Sequence, residues 1–366
     1  MNFQRRETRS FNVGSVPIGG GAPIAVQTMT KTDTHNVEAT VAQIRQVAAA
    51  GADIVRLAVP GEEDAVALKA IKEQSPIPLI ADIHYNYKLA LKAMESGVDG
   101  LRLNPGNIGA RWKVEEVVKE AKERKIPIRI GVNSGSVEKQ FASKYGEGSV
   151  EAMVESALYH VSILEDLDFP DIKVSLKATD VQRNVAANKL FASKTDIPLH
   201  LGVTEAGTVW SGSIKSTAGL AVLLSEGLGD TLRVSLTGNP VEEVRVGWQI
   251  LASLGLRRRG VEIISCPTCG RLEIPIEQLC HDFEQALAHI DHPFHLAIMG
   301  CAVNGPGESR QADIGIVAHH SGDVRVYRDG EFWQKVNYDD LLPVITEEFN
   351  RKWEEAKTAE GMQEAG

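Results

Sequence analysis

Alternation constrains this chain more than any other feature. Short apolar runs and amphipathic segments follow one another eight times over about 230 residues. The runs are Pro23–Thr30, Asp53–Pro60, Pro78–Tyr85, Gly100–Gly106, Pro127–Ser134, Asp171–Lys177, Pro198–Thr204 and Thr231–Thr237. Each is β-branched or aliphatic and bounded by Pro, Gly or Asp, as buried strands are. Between them, stretches such as Asn36–Ala50, Ala110–Lys125 and Val181–Lys194 carry helical periodicity. Parallel strands with right-handed helical crossovers close into a barrel at this number. The expected fold class is therefore α/β: an N-terminal (β/α)8 TIM-type barrel over residues 1–255, then a smaller α+β domain over 256–366. Leu256-Arg-Arg-Arg-Gly260 marks the boundary and reads as a solvated linker. Arg9–Ile18 alternates around a glycine as a hairpin does, and is placed to plug the barrel bottom.

Six strands share a pattern of a basic residue, an aliphatic one, then a small or polar one. They read Arg56-Leu-Ala, Arg102-Leu-Asn, Arg129-Ile-Gly, Lys173-Val-Ser, His200-Leu-Gly and Arg233-Val-Ser, and the third strand has Asp82-Ile-His at that place. Residues two apart share a strand face. The aliphatic residues then face the helices, and the basic and small residues face the barrel interior. Ordinary barrels fill that interior with Val, Ile and Leu. Two cations about 4 Å apart repel by roughly 4 kcal/mol at an effective dielectric near 20. Asp82 offsets part of this, and a bound polyanion would offset the rest. Structural ion pairing is the competing reading of each arginine.

Composition bounds the function classes. The 366 residues carry 49 acids against 39 Lys and Arg, a formal charge of −10, which argues against general nucleic-acid binding. No apolar run is long enough to cross a bilayer. The first residues show no apolar stretch after their charges, so no secretory signal is expected. Four cysteines without a disulfide-rich pattern suit a reducing cytoplasm.

Three of those cysteines fall in two turns, Ser265-Cys-Pro-Thr-Cys-Gly-Arg271 and Gly300-Cys-Ala-Val-Asn-Gly-Pro-Gly-Glu308. Cys266 and Cys269 have the C-x-x-C spacing that aims two sulfurs at one point, for a soft metal or an iron–sulfur cluster. A zinc ribbon needs a second C-x-x-C, and there is none. Cys280 could complete a four-cysteine zinc site, but it sits on an apolar helical stripe and reads as a core residue. That leaves Cys266, Cys269 and Cys301. Glu308 is the candidate fourth ligand, a hard carboxylate that binds a cluster iron more weakly than a thiolate and could yield to a substrate oxygen. The expected cofactor is a 4Fe–4S cluster; a solvated loop acid is the competing reading of Glu308.

Above the basic layer, Asn133 and Lys177 share the inward faces. Glu205, after the seventh strand, is the candidate proton donor, or else a helix-capping or ion-paired acid. Ser134–Gly148 is long for a connection of its kind and reads as a lid or as plain loop variability.

The two cysteine turns, with Arg56-Leu, Ala-Asp-Ile-His84, Leu-Arg-Leu-Asn-Pro-Gly106, Gly-Val-Asn-Ser-Gly135 and Gly-Val-Thr-Glu-Ala-Gly207, closely resemble the 4-hydroxy-3-methylbut-2-en-1-yl diphosphate synthases in their two-domain bacterial form. The resemblance spans nearly the whole chain. It implies the reductive ring opening and dehydration of 2-C-methyl-D-erythritol 2,4-cyclodiphosphate in the methylerythritol phosphate route to isoprenoids. It also implies diphosphate binding by Arg56, Arg102, Arg129 and Lys173, with Asn104, Asn133 and His200 beside them. Glu205 matches the active-site glutamate, and Cys266, Cys269, Cys301 and Glu308 match the cluster ligands. Reduced flavodoxin, or ferredoxin, is the implied electron donor, and a head-to-tail homodimer the implied assembly. The reading from another class is a Schiff-base lyase or aldolase using Lys173 or Lys177, with a structural zinc in the tail.

Overall fold

The structure, a computed structural model, describes residues 4–303, 305–319 and 323–364. Asn304 of the second cysteine turn and residues 365–366 lie outside them. The chain divides into two compact units after Arg257.

The first unit opens with an antiparallel hairpin, β1 (Ser10–Val13) and β2 (Val16–Gly19), turning at Gly14 with φ 57°. Eight parallel strands follow: β3 (Ala25–Met29), β4 (Ile54–Ala58), β5 (Leu79–Asp82), β6 (Gly100–Arg102), β7 (Ile128–Asn133), β8 (Ile172–Lys177), β9 (His200–Leu201) and β10 (Thr231–Leu232). They run β8-β7-β6-β5-β4-β3-β10-β9, and a parallel bridge between Val174 and Leu199 joins the two ends into a closed barrel. Each strand feeds a helix, beginning with Val37–Ala49, which Asn36 caps by accepting from the Ala39 N–H. Outward-facing Val55, Leu57, Leu101, Ile128, Ile130 and Val174 pack with helix residues such as Ile44, Leu68, Phe191 and Leu220 in one continuous core.

The hairpin covers the barrel bottom as its pattern predicts. Val13 and Ile18 pack against Ala25, Ile54 and Ile80, the lowest inward side chains. The barrel interior is therefore apolar at its floor and polar above.

The last two strands are the shortest, two residues each. The run Pro198–Thr204 forms ladder only at His200–Leu201, and Thr231–Thr237 only at Thr231–Leu232. Past these points the Arg233 N–H donates to the Leu201 carbonyl at 2.9 Å, and further on an isolated parallel bridge joins Thr208 and Thr237, whose N–H donates to the Gly207 carbonyl at 2.9 Å. The basic triplet is also not a plain solvated linker. Arg257 donates to the Ile24 carbonyl and to Asp53, each at 2.7 Å, and stacks on Trp248.

The second unit is a five-stranded mixed sheet of β11 (Val261–Ser265), β12 (Phe294–Met299), β13 (Ile314–Ala318), β14 (Val324–Arg328) and β15 (Glu331–Val336), in that order. The first three are parallel and the rest antiparallel. Asp329 and Gly330 form the β14–β15 turn, with φ 50° and 84°, as Asp-Gly does in tight hairpins. Helices Ile276–Ala286 and Leu341–Glu364 pack Leu279, Phe283, Ile345 and Phe349 on one face of the sheet. The last helix runs to Glu364.

Ile18 is 1% exposed and part of the floor. Ile18→Ala is expected to lower barrel stability by about 2–5 kcal/mol, read as an earlier urea midpoint with an unchanged slope. An unshifted midpoint would show that the hairpin only rests on the barrel.

Candidate functional site

The inward faces above the floor carry charge. Register places Ala58, Asp82, Arg102, Arg129 and Lys173 side by side on β4 to β8. Arg56 pairs with Ile80, so it lies two residues back along β4 from the place that pattern alignment gives it. His200 likewise stands opposite Thr231 on β10, not Arg233. Closing a barrel staggers its strands, so equal motif positions are not equal heights.

Asp82 is the pivot of the layer. Its carboxylate pairs with Arg56 at 3.4 Å and with Arg102 at 3.3 Å. Burial pushes Asp82 up, and Arg56, Arg102 and Arg129 overcome this to hold it below its usual range. A second carboxylate, Glu243, enters from helix Pro240–Ser253. It pairs with Arg233 at 3.3 Å and Lys31 at 3.2 Å, and accepts from Thr28 Oγ1 at 2.8 Å and the Leu236 N–H at 3.1 Å. As an acid in the first turn of a helix it reads in sequence as an ordinary dipole partner. Nothing in its spacing announces that it is buried.

These carboxylates leave much of the layer unanswered. Among the described residues, Lys173 Nζ, Arg102 Nε, Arg129 Nε, His200 Nε2 and both amide atoms of Gln27 are buried with no hydrogen-bond partner. Such groups cost free energy unless something pairs with them. Burial, with Arg129 adding, brings Lys173 down to about 7. Burial and the neighbouring cations also hold Lys177, Arg129 and His200 well below their usual values. Arg56 is pushed to about 10 by burial and by Arg233 and Arg102, against Asp82. The arrangement is a cation-lined cavity suited to a compact polyanion, for which planar guanidinium groups are the best ligands.

The remaining expected residues divide by what they touch. Arg129 donates to Ser175 Oγ at 2.7 Å. The Asn104 amide bonds to Gly131, donating to its carbonyl and accepting from its N–H, both at 2.9 Å. His200 Nδ1 lies 2.7 Å from Thr231 Oγ1. Asn133 is half-buried at the end of β7. Lys173 is sealed in the interior, while Lys177, on the same inward face, packs its ammonium against Gly202, where a Cβ would come within 2.5 Å. Glu205 is exposed on the turn after β9 and holds a left-handed backbone, φ 51°, which is costly for a residue with a Cβ. Thr179 Oγ1, past the end of β8, donates to it at 3.3 Å. Helix Val209–Ser225 begins after Thr208, and Glu205 makes no ion pair among the described residues. The capping and ion-pair readings of Glu205 therefore fall away. The segment after β7 is ordered as a turn at Ser134–Ser136 and a helix, Lys139–Tyr145.

In the second unit, parallel β11 and β12 both end at a cysteine turn. Ser265 pairs with Ile298, and the Cys266 N–H donates to the Ile298 carbonyl at 3.3 Å. The Gly300 N–H donates to Cys266 Sγ at 3.4 Å, so the turn preceding Cys301 reaches the first sulfur. Backbone donors to sulfur suit thiolate ligands of a cluster and tune its potential. Cys269 is exposed, Cys266 and Cys301 half-buried, and Glu308 exposed on the short helix Gly305–Ser309. Among the described residues no three His, Cys, Asp or Glu side chains converge as ligands of one metal ion would. Cys280 packs against the core of this unit, and burial raises its thiol.

Residues 8–248 match the GcpE TIM-barrel domain, and residues 262–351 match the GcpE protein C-terminal domain. Among similar proteins is a 4-hydroxy-3-methylbut-2-en-1-yl diphosphate synthase (flavodoxin) of Geobacter sulfurreducens, 57% identical over 95% of this chain and 98% of its own length. Proteins of the same name from Thermodesulfovibrio yellowstonii and Magnetococcus marinus are 55% and 53% identical, over 95% and 99% of this chain and 100% and 97% of their own lengths.

Unfolded, Lys173 keeps its proton through the ordinary lysine range; folded, it sheds it near 7. Its burial cost is therefore full below about pH 7 and falls away as pH rises towards the ordinary lysine value. Lys173→Met is expected to raise the melting temperature at about pH 6 and to raise it less at about pH 9. Equal gains at both would remove Lys173 as the titrating group. Pyrophosphate is expected to stabilise the parent protein in proportion to its binding, and Arg129→Met to weaken that response.

Proposed function

The chain belongs to the GcpE family, and we propose that it performs the reaction for which its curated relatives are named. It is an oxidoreductase that makes 4-hydroxy-3-methylbut-2-en-1-yl diphosphate, a step of the methylerythritol phosphate pathway. The ring of 2-C-methyl-D-erythritol 2,4-cyclodiphosphate is opened, one oxygen leaves as water, and two electrons are taken up. The observation that carries the assignment to this site is the set of buried cationic groups inside the barrel, with Lys173 Nζ and the Nε atoms of Arg102 and Arg129 unpaired among the described residues. A cyclic diphosphate supplies the negative charge that Asp82 and Glu243 do not.

In this reading Arg56, Arg102, Arg129 and Lys173 neutralise the diphosphate. Guanidinium forks hold phosphate oxygens in fixed directions, which orients the ring as well as binding it. Asn104 acts through Gly131, whose carbonyl also accepts from Arg102 at 3.2 Å. Asn133 and His200 line the same interior. Proton uptake by Lys173 on pairing strengthens binding as pH falls towards 7. Glu205 gives a proton to the departing hydroxyl, and its left-handed backbone fixes where that carboxyl stands.

Cys266, Cys269, Cys301 and Glu308 would hold a 4Fe–4S cluster, which when bound supplies the electrons one at a time. The names of the relatives support flavodoxin as the donor, with ferredoxin as the alternative. A head-to-tail homodimer, in which the cluster of one subunit serves the barrel of the other, completes the proposal. The Schiff-base reading with a structural zinc is not favoured, because the family match extends over both units.

Protein purified without oxygen is expected to be brown and to carry iron and sulfide in equal amounts, and Cys301→Ser to lose most of both. A colourless zinc protein that still turns over the cyclic diphosphate would end this account. Glu205→Gln is expected to keep the cluster absorbance and substrate affinity while kcat falls about 10²–10⁴-fold. Undiminished turnover would take the proton-donor role from Glu205.

A further inference from the structure

One buried side chain outside the cation layer joins two of the loops that carry it. His160 lies on helix Val150–Glu165 and is wholly buried. Its Nδ1 accepts the Gly106 N–H at 3.1 Å. Its Nε2 bonds to Glu138 Oε1. A backbone N–H can only donate, so Nδ1 is the acceptor and the ring proton sits on Nε2, facing the carboxylate. Ser156, one turn earlier on the same helix face, donates to the other Glu138 oxygen at 2.6 Å. Burial raises Glu138, but these two partners outweigh it and bring it to about 2, so the carboxylate stays ionised.

The two residues joined through this imidazole belong to different mouth loops. Gly106 follows Asn104, whose amide fixes Gly131, the residue that also receives Arg102. Glu138 starts helix Lys139–Tyr145, its carbonyl accepting from Phe141 and Ala142 at 3.0 Å, in the segment that follows Asn133. The fit at Gly106 is close: a Cβ there would lie 2.7 Å from His160 Cε1 and 3.1 Å from Tyr159. Tyr159 packs on Phe141, with ring centroids 5.7 Å apart.

We propose that His160 is a positioning residue for the diphosphate pocket: its neutral imidazole clamps the β6 loop at Gly106 to the β7 loop at Glu138 and so sets the spacing of Asn104, Arg102 and Asn133. The kinetic part of this rests on the function proposed above; the clamp itself does not. His160 touches neither substrate nor cofactor in this scheme and acts through Gly106 and Glu138.

Two conservative variants separate its two bonds. In His160→Asn the side-chain oxygen falls near the place of Nδ1 and retains the acceptor for Gly106. In His160→Gln the amide nitrogen falls near the place of Nε2 and retains the donor to Glu138. Hydrogen–deuterium exchange on the full-length, cluster-loaded protein is the primary readout. His160→Asn is expected to speed exchange in residues 134–148 and spare 104–110, and His160→Gln to do the reverse. Glu138→Ala, at a partly exposed site, is expected to release 134–148 alone and serves if the histidine variants do not fold. In steady state, each histidine variant is expected to raise KM for the cyclic diphosphate about fivefold to tenfold, as loss of one hydrogen bond would, with kcat nearly unchanged. Equal loosening of both loops in both histidine variants, or no change in either, would overturn the clamp, as would a fall in kcat at constant KM. A parent enzyme that does not turn over the cyclic diphosphate would defeat the proposed function while the exchange pattern still tests the clamp.

Discussion

Like charges held inside a closed barrel are the constraint on which the rest of this structure depends. A barrel interior is normally filled by aliphatic layers that stabilise it. Here Arg56, Arg102, Arg129, Lys173 and Lys177 occupy that space, and of these Asp82 pairs directly with Arg56 and Arg102. The apolar burial that holds the fold is displaced to two other places. One is the annulus between strands and helices, and the other is the floor made by Val13, Ile18, Ile54 and Ile80. The floor matters because it closes the end where a polar interior would otherwise admit water. The result is a scaffold that is rigid at its base and around its wall, and electrostatically unsatisfied at its centre.

That dissatisfaction is the physical form of preorganisation. Donors already desolvated and aimed inward need no reorganisation when an anion arrives. Their cost shows in the values of the groups themselves, with Lys173 near 7 and Arg56 near 10. A ligand that restores their charge gains affinity from the burial cost it offsets. Strain at the mouth follows the same logic. Glu205 keeps a left-handed backbone, and Gly106 admits His160 only because it has no side chain. Both are local compromises between backbone preference and the placement of polar groups, of the kind that collects at functional sites.

Much of the site was legible before any coordinate. The C-x-x-C turn, the second cysteine turn and the recurrent basic residue are local patterns, and each points to a chemistry through residue type and spacing alone. The plugging hairpin was equally readable, since turn residues act over four positions. What escaped was whatever depended on a neighbour distant in sequence. Glu243 reads as a first-turn acid, yet it is the second buried carboxylate. His160 reads as one of several polar residues of helix Val150–Glu165, yet it joins residues 54 positions upstream and 22 upstream. Gln27 gives no signal of its own, because burial without a partner has no local signature.

By itself the sequence determined that strands and helices alternate, that the inward faces are basic, and that three cysteines sit in turns fit for thiolate ligation. These follow from periodicity and side-chain chemistry, which act within a few residues. Only the tertiary structure decided which inward residues are neighbours. It set Asp82 beside Arg102 and Ala58, moved Arg56 back along its strand, sealed Lys173 in the interior, and brought Glu138 and Gly106 to one imidazole. The reason is geometric: closing eight strands staggers them, and stagger is a property of the whole ring that no single strand encodes.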